Sequence, residues 1–349
     1  MPARWRAASL RGIAAGLWRR RRSDGGADIH LRTRYKPLAQ APTGKTRSRG
    51  LNLDVTAASG FTAFLFAVRA GAIDSALGLL KAGASVDERL GDGTSALVLA
   101  IGSTRYDLAA LLVDQGADIS AAAQGWTPLH QIVWTRRPNT GSNNPWPVER
   151  DRIDSLSFAR RLLERGADVN APITRDADIS VIGRRRYSDV GATPLWIASQ
   201  TLDLPMMRLL VAHGADIDRP NGIGTTPLLA AAGVGIEMPG ENPGSPSLVS
   251  EAVSFLLARG ADAMRVDRPG ETALHGAALW GSDDAVRRLA QAGARLDAVN
   301  ECGWLPWHVA TGVAYDGNVI GQHPATADLL RRMMEERGAW KTPPPAAPC

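Results

Sequence analysis

A period constrains this chain more than any other feature. An apolar pair followed by Gly-Ala recurs along it. Leu79-Leu80 precedes Gly83-Ala84, Leu111-Leu112 precedes Gly116-Ala117, and Leu162-Leu163 precedes Gly166-Ala167. Leu209-Leu210 then precedes Gly214-Ala215, Leu256-Leu257 precedes Gly260-Ala261, and Leu289-Ala290 precedes Gly293-Ala294. The first and last steps are 33 residues; the three between are 50, 48 and 46, so extra segments interrupt one repeating unit. A fixed period of this kind means stacked units that bury their apolar faces only against one another.

A second landmark keeps the same phase. Thr127-Pro128-Leu129-His130, Thr193-Pro194-Leu195-Trp196 and Thr226-Pro227-Leu228-Leu229 share a Thr-Pro-Leu start, and Thr62-Ala63-Phe64, Ser95-Ala96-Leu97, Thr272-Ala273-Leu274-His275 and Leu305-Pro306-Trp307-His308 are looser copies. Threonine caps a helix N-terminus well, and proline just inside loses no useful donor, so Thr-Pro starts a helix sharply. In the first unit Phe64, Leu65, Ala67 and Val68 can line one short helix, with Ala76, Leu79 and Leu80 the facing stripe of a second. Gly83 then takes the left-handed position that ends it. Helices this short are not stable alone.

These landmarks resemble the ankyrin repeat, a unit of about 33 residues with a Thr-Pro-Leu-His-x-Ala start. Gly125-Trp126-Thr127-Pro128-Leu129-His130 and Leu162-Leu163-Glu164-Arg165-Gly166-Ala167-Asp168-Val169-Asn170 follow that pattern nearly letter for letter. The resemblance implies an all-α ankyrin-repeat solenoid of about seven helix-turn-helix units with projecting β-turn fingers, over 55–339. Residues 1–54 are then a basic, disordered leader, and 340–349, with Pro343-Pro344-Pro345, a disordered tail. Asp24-Gly-Gly-Ala-Asp-Ile-His30 echoes a repeat ending and marks a decayed upstream unit. Absence of a clear N-terminal cap puts Phe64 and Leu65 at risk of exposure. Four insertions, 134–156, 171–190, 233–247 and 311–324, break the period; such loops are either functional or tolerated surface length. Long insertions and an excess of arginine over lysine resemble bacterial ankyrin proteins.

Charge divides the molecule. Residues 1–50 hold 13 Lys and Arg against Asp24 and Asp28, so the net +5 of the chain leaves the remainder at −6. An acidic body is a poor nucleic-acid binder, so none is expected for the repeats. No apolar stretch approaches the roughly 20 residues of a spanning helix. Four arginines, Arg19 to Arg22, stand where a signal peptide would be cleaved. A cytoplasmic monomer is expected, or an exported protein if the true start lies elsewhere.

Chemistry is sparse. His130, His275 and His308 fall at the fourth position of the repeat start, and the resemblance implies a structural role, hydrogen-bonding between turns. Asp118, Asp168 and Asp216 recur in the Gly-Ala-Asp turn and cap it. No phosphate-binding loop, metal-ligand pattern or nucleophile elbow occurs, so no catalytic residue, cofactor or metal is expected, and an enzyme is disfavoured. The expected function is a scaffold that holds a protein partner on its turn tips and concave face. Ankyrin turn tips commonly touch partners, and here they carry Phe61, Trp126, Ile223 and Trp304; such rings either form contact points or fold back onto the neighbouring unit. Trp196 and Trp280 fall at inward phases. The alternative is an anion-sensing role in which Arg136, Arg137, Arg184, Arg185 and Arg186 converge.

Overall fold

The computed structural model describes residues 28–33, 60–137, 148–175, 188–236, 244–315, 318–341 and 343. The rest of the leader, residues 138–147, residues 176–187 with Arg184, Arg185 and Arg186, residues 237–243 and 316–317, and the end of the tail lie outside the described residues. Fourteen helices among the described residues form seven antiparallel pairs. These are α1 (Ala63–Ala70) with α2 (Ile73–Lys81), α3 (Ala96–Gly102) with α4 (Tyr106–Asp114), and α5 (Pro128–Arg136) with α6 (Ser155–Glu164). Next come α7 (Pro194–Gln200) with α8 (Leu204–Ala212), α9 (Pro227–Ala232) with α10 (Pro246–Leu257), α11 (Ala273–Trp280) with α12 (Asp283–Gln291), and α13 (Pro306–Thr311) with α14 (Pro324–Glu336). A short antiparallel hairpin, β1 (Val313–Tyr315) and β2 (Asn318–Ile320), interrupts the last pair.

The first helices pack one on the next in an unbroken row, and the second helices lie outside them. A single apolar core runs from Phe61 to Met334. Phe64 and Leu65 are fully buried rather than exposed at the array's end; Phe66, Leu79 and Leu80 carry the exposure instead. Thr62, Ser95, Thr193 and Thr226 each adopt an extended conformation and accept a backbone N–H from three residues on, which satisfies one orphan donor of the helix each begins. At the far end Gly83, Gly116, Gly166, Gly214, Gly260 and Gly293 all sit at φ of 87° to 101°, a conformation closed to most other residues.

Between units the chain forms a finger, closed by a backbone bond: Leu90 N–H to Thr94, Asn221 N–H to Thr225, Asp267 N–H to Glu271, and Asn300 N–H to Trp304. Neighbouring fingers are joined in turn, as Arg268 N–H donates to the Ile223 carbonyl and Glu301 N–H to that of Pro269. Asp118, Asp168 and Asp216 cap their turns by accepting the N–H two residues on, at 2.9, 2.8 and 3.1 Å.

Candidate functional site

The histidines at the fourth repeat position tie unit to unit. His130 Nδ1 accepts from the Thr127 backbone N–H at 3.2 Å, and its Nε2 lies 3.3 Å from the Ala192 carbonyl. His275 repeats this with Thr272 N–H at 3.1 Å and the Trp304 carbonyl at 2.9 Å. An accepting Nδ1 leaves Nε2 to carry the proton, so both rings are neutral donors across the unit boundary. Burial alone drives His130 down to about 4, despite the carbonyls that favour its charge. In the fourth unit Trp196 does the same work, its indole N–H donating 2.8 Å to the Thr225 carbonyl. Trp196 and Trp280 are core residues, as their phase implied.

Two of the turn-tip aromatics are not presented to solvent. Phe61 and Trp304 are 4% and 1% exposed. The position before the helix cap has its backbone fixed on both sides: Trp304 N–H donates to Asn300 Oδ1 at 2.9 Å while its carbonyl takes two bonds. That fixes the direction of the side chain, and the ring is driven into the interior beside His275, Gly276 and Val309. Phe61 stacks on Phe66 with centroids 4.8 Å apart, under the Arg69 guanidinium. Trp126 and Ile223 are half-buried. Trp126 hydrogen-bonds Gln131 at 2.9 Å and meets Trp134 edge-on at 5.3 Å.

Arg136 and Arg137 are engaged within the fold, while Arg184, Arg185 and Arg186 lie outside the described residues. Arg136 Nε and Nη2 grip both oxygens of Asp203 at 2.6 and 3.3 Å, and Nη1 donates to Ser155 at 2.6 Å. Burial opposes the charge of Arg136, but the Asp203 carboxylate outweighs it and holds the guanidinium above its ordinary range. Arg137 donates to the Leu202 carbonyl. Both therefore pin the third unit to the start of α8 in the fourth. Among the described residues no group of three or more His, Cys, Asp or Glu side chains could hold a metal ion, and no helix is long and apolar enough to cross a membrane.

Sequence reasoning missed the position four residues after each helix cap. It holds Phe66, Leu99 and Gln131 in the first three units, all partly or fully accessible, and Ile197, Ala230, Gly276 and Val309 in the last four, all buried. The cause is long-range. Val234 and Ile236, from the 233–247 insertion, lie over α11, and Val313 and Ile320 of the hairpin close over α13. At Gly276 a Cβ would lie 2.8 Å from the backbone of Ala232 and Val234, so that backbone contact admits glycine only. At this position the inner helices are thus accessible in units one to three and buried in units four to seven.

The class of protein defined by this architecture is a stacked array of helix pairs joined by hydrogen-bonded fingers. A family model described as "Ankyrin repeat" matches residues 190–222 and 269–301. Ankyrin repeat and SOCS box protein 16 of Homo sapiens is 30% identical over 248 residues, 70% of this chain and 46% of that protein. The putative palmitoyltransferase ZDHHC13 of Danio rerio is 26% identical over 240 residues, 68% of this chain and 30% of that protein. The chain thus spans less than half the length of these relatives. The crystal structure of the human ASB11 ankyrin repeat domain superposes with a TM-score of 0.52 at 19% identity, covering 81% of this chain and all of that one. The chain is an ankyrin-repeat protein.

Proposed function

We propose that this protein is a non-enzymatic scaffold whose protein partner lies across the open concave face of units one to three. Ankyrin repeats generally mediate protein–protein contacts, and the observation that carries the choice of surface is the change in accessibility along one repeat position. Phe66, 37% exposed, stands with Arg69 at one end, and the half-buried Trp126 with Gln131 stands at the other. Leu99 and Gly102 form a low saddle between them. Aromatic anchors flanking a shallower strip suit a partner segment that inserts side chains at two points. In the later units the same position is buried. No observation favours the anion-sensing reading, since Arg136 and Arg137 are engaged within the fold.

Affinity capture from lysate tests this, using the full chain, a Leu99→Asp/Trp126→Ala variant, and a Val319→Asp variant altered on the covered half. The expected result is a specific protein retained by the parent and by Val319→Asp but lost with Leu99→Asp/Trp126→Ala. Equal retention by all three folded baits overturns the choice of surface.

A further inference from the structure

Residues 28–33 lie upstream of the first complete unit, yet they supply the first strand of its finger. Thr33 N–H donates to the Phe61 carbonyl at 2.9 Å, as Asn300 N–H does to the Trp304 carbonyl at 3.0 Å. Gly60 N–H returns a bond to the Thr33 carbonyl at 3.0 Å, and Phe61 N–H adds a third, to Thr33 Oγ1, at 3.0 Å. This register sets Arg32 and Arg89 at one repeat position, immediately before Thr33 and Leu90, which close the first and second fingers. Arg32 Nη1 reaches from the first finger to the second, on the carbonyls of Gly60 and Arg89, both at 2.8 Å. Arg175 Nη2 bridges the third to the second, at 2.7 Å from the Gln124 carbonyl and 3.4 Å from that of Asp92. A carbonyl partner leaves a guanidinium its full charge. The same position in later fingers holds Pro220, Val266 and Val299.

The helices beside these fingers add charge of the same sign. In α1, α3 and α5 the only charged side chains are Arg69 and Arg136, and there is no acid. Arg69 is exposed and lies over the Phe61 ring, which stacks on Phe66, so a cation stands beside the apolar anchor. Arg105 lies along the turn that follows α1, where a Cβ on Gly71 would meet its Cδ at 2.6 Å. Among the described residues Arg32, Arg69, Arg89, Arg105 and Arg175 make no ion pair. On the outer helices, by contrast, Arg161 pairs with Asp114 and Arg287 with Asp284. The acids of the first fingers are engaged locally: Glu88 is buried against Thr62 Oγ1, Asp87 accepts from Asp118 N–H, and Asp92 from Thr94 N–H. Residues 51–349 carry −6, so this face opposes the sign of the body around it.

We infer that the partner segment received by this face is acidic. It is a stretch of protein whose apolar residues meet Phe66 and Trp126 while its carboxylates pair with Arg32, Arg89 and Arg175 on the finger side and with Arg69 and Arg105 on the other. The inference rests on the partner surface proposed above and adds the chemistry of the ligand. Charge sets encounter and register, and apolar contact supplies the hold. Neighbouring helices pack about 9 Å apart and an extended chain advances about 3.3 Å per residue, so about three residues cross each unit. Carboxylates at that spacing match successive fingers. A nucleic acid would meet the same cations, but the acidic body opposes a long polyanion, which favours a short acidic segment.

A random peptide library of about 12 residues, long enough to cross three units, selected on the full chain tests this. The expected peptides carry Asp or Glu around Trp, Phe or Leu. Their affinity, read by fluorescence anisotropy, should fall about tenfold with Arg69→Glu/Arg89→Glu, and again as NaCl rises from about 50 to 500 mM. Neither of those two side chains donates a hydrogen bond within the described residues, so the variant keeps its fold. Arg265→Glu/Arg268→Glu, on a later finger, should change nothing. Peptides lost with Leu99→Asp/Trp126→Ala but free of acidic bias, or indifferent to Arg69→Glu/Arg89→Glu, overturn the inference and leave the partner surface standing. Peptides indifferent to both variants overturn both. A mixed-sequence single-stranded oligonucleotide that binds more tightly than the peptides and displaces them assigns the face to nucleic acid, which also overturns the inference.

Discussion

The first three units and the last four share one plan and differ in what lies on it. In both, a threonine or serine starts most of the inner helices, a left-handed glycine ends the outer one, and fingers are closed by the same backbone bonds. In the first three the inner helices face outward over Phe66, Leu99 and Gln131. In the sixth and seventh units residues of the insertions turn back over α11 and α13, and at the closest approach the side chain beneath them is reduced to Gly276. An insertion in a solenoid is therefore not neutral length: its position decides whether a unit keeps its surface or spends it on its own core. The seam between the two regions is the buried Arg136–Asp203 pair, whose carboxylate side chain is 1% exposed.

That seam offers the largest test of the comparison. Arg136→Ala leaves Asp203 buried without its partner and should cost about 4 kcal/mol. Because stability in such arrays is close to a sum over neighbours, urea denaturation should then resolve two transitions. A single shifted transition would show that the halves are coupled by more than this pair.

Gly276→Phe probes the cover itself. The new side chain would collide with the backbone of Ala232 and Val234 and should cost about 3 kcal/mol, as overpacking does. Enlarging the equivalent position of an open unit by Leu99→Phe should change stability by under about 0.5 kcal/mol.

The two regions should also answer pH in opposite ways. His130 is held near 4 by burial against an ordinary 6.5, so the unfolded chain takes up a proton first. Its unit should lose stability as pH falls from about 6.5 towards 4. Asp267, on a finger of the covered half, is pushed from 3.8 up to about 6 by burial, with Glu271 and Glu301 adding to the rise. Here the folded chain binds the proton more tightly, so the contribution is present below about pH 4 and lost as pH rises through 6. Asp267→Asn, which restores the residue type of Asn221 and Asn300, should gain about 2 kcal/mol at pH 7 and nothing at pH 3.5 by thermal unfolding. An equal gain at both values would mean that packing, not charge, separates the variants.

The smallest effect concerns the turn between paired helices. Gly71 and Gly281 occupy it at φ of 73° and 66°, while Thr104 sits there at 56°. A β-branched residue in that region is strained, so Thr104→Gly should stabilise the second unit by about 1 kcal/mol, read as a shift in denaturation midpoint.

Much of this was legible in the sequence. Thr193-Pro194 and Thr226-Pro227 start helices because the cap chemistry is local, and Gly83 and its equivalents end them because the conformation excludes other residues. The structural role of the histidines came from the resemblance; only the bond to Thr127 or Thr272 is local, within one turn. The site was less so. For Phe61 and Trp304 the sequence left projecting and folded-back rings equally open, and burial of both rings decides for the second. Arg136 meets Asp203 across 67 residues, and Gly276 meets Val234 across an insertion that the repeat pattern does not describe. What was missed is what depends on contacts between units at irregular separations.

The split finger at Thr33 and Gly60 has a practical consequence. Three bonds join Thr33 to Gly60 and Phe61, and 26 residues lie between Thr33 and Gly60, where two lie between the equivalent Asn300 and Gly303. Lengthening a closed loop by that factor costs on the order of 2 kcal/mol, because the penalty grows only with the logarithm of length. The finger is thus a natural graft point, where a reporter or an epitope could replace residues 34–59 while the anchoring strand and the register of all seven units stay as they are.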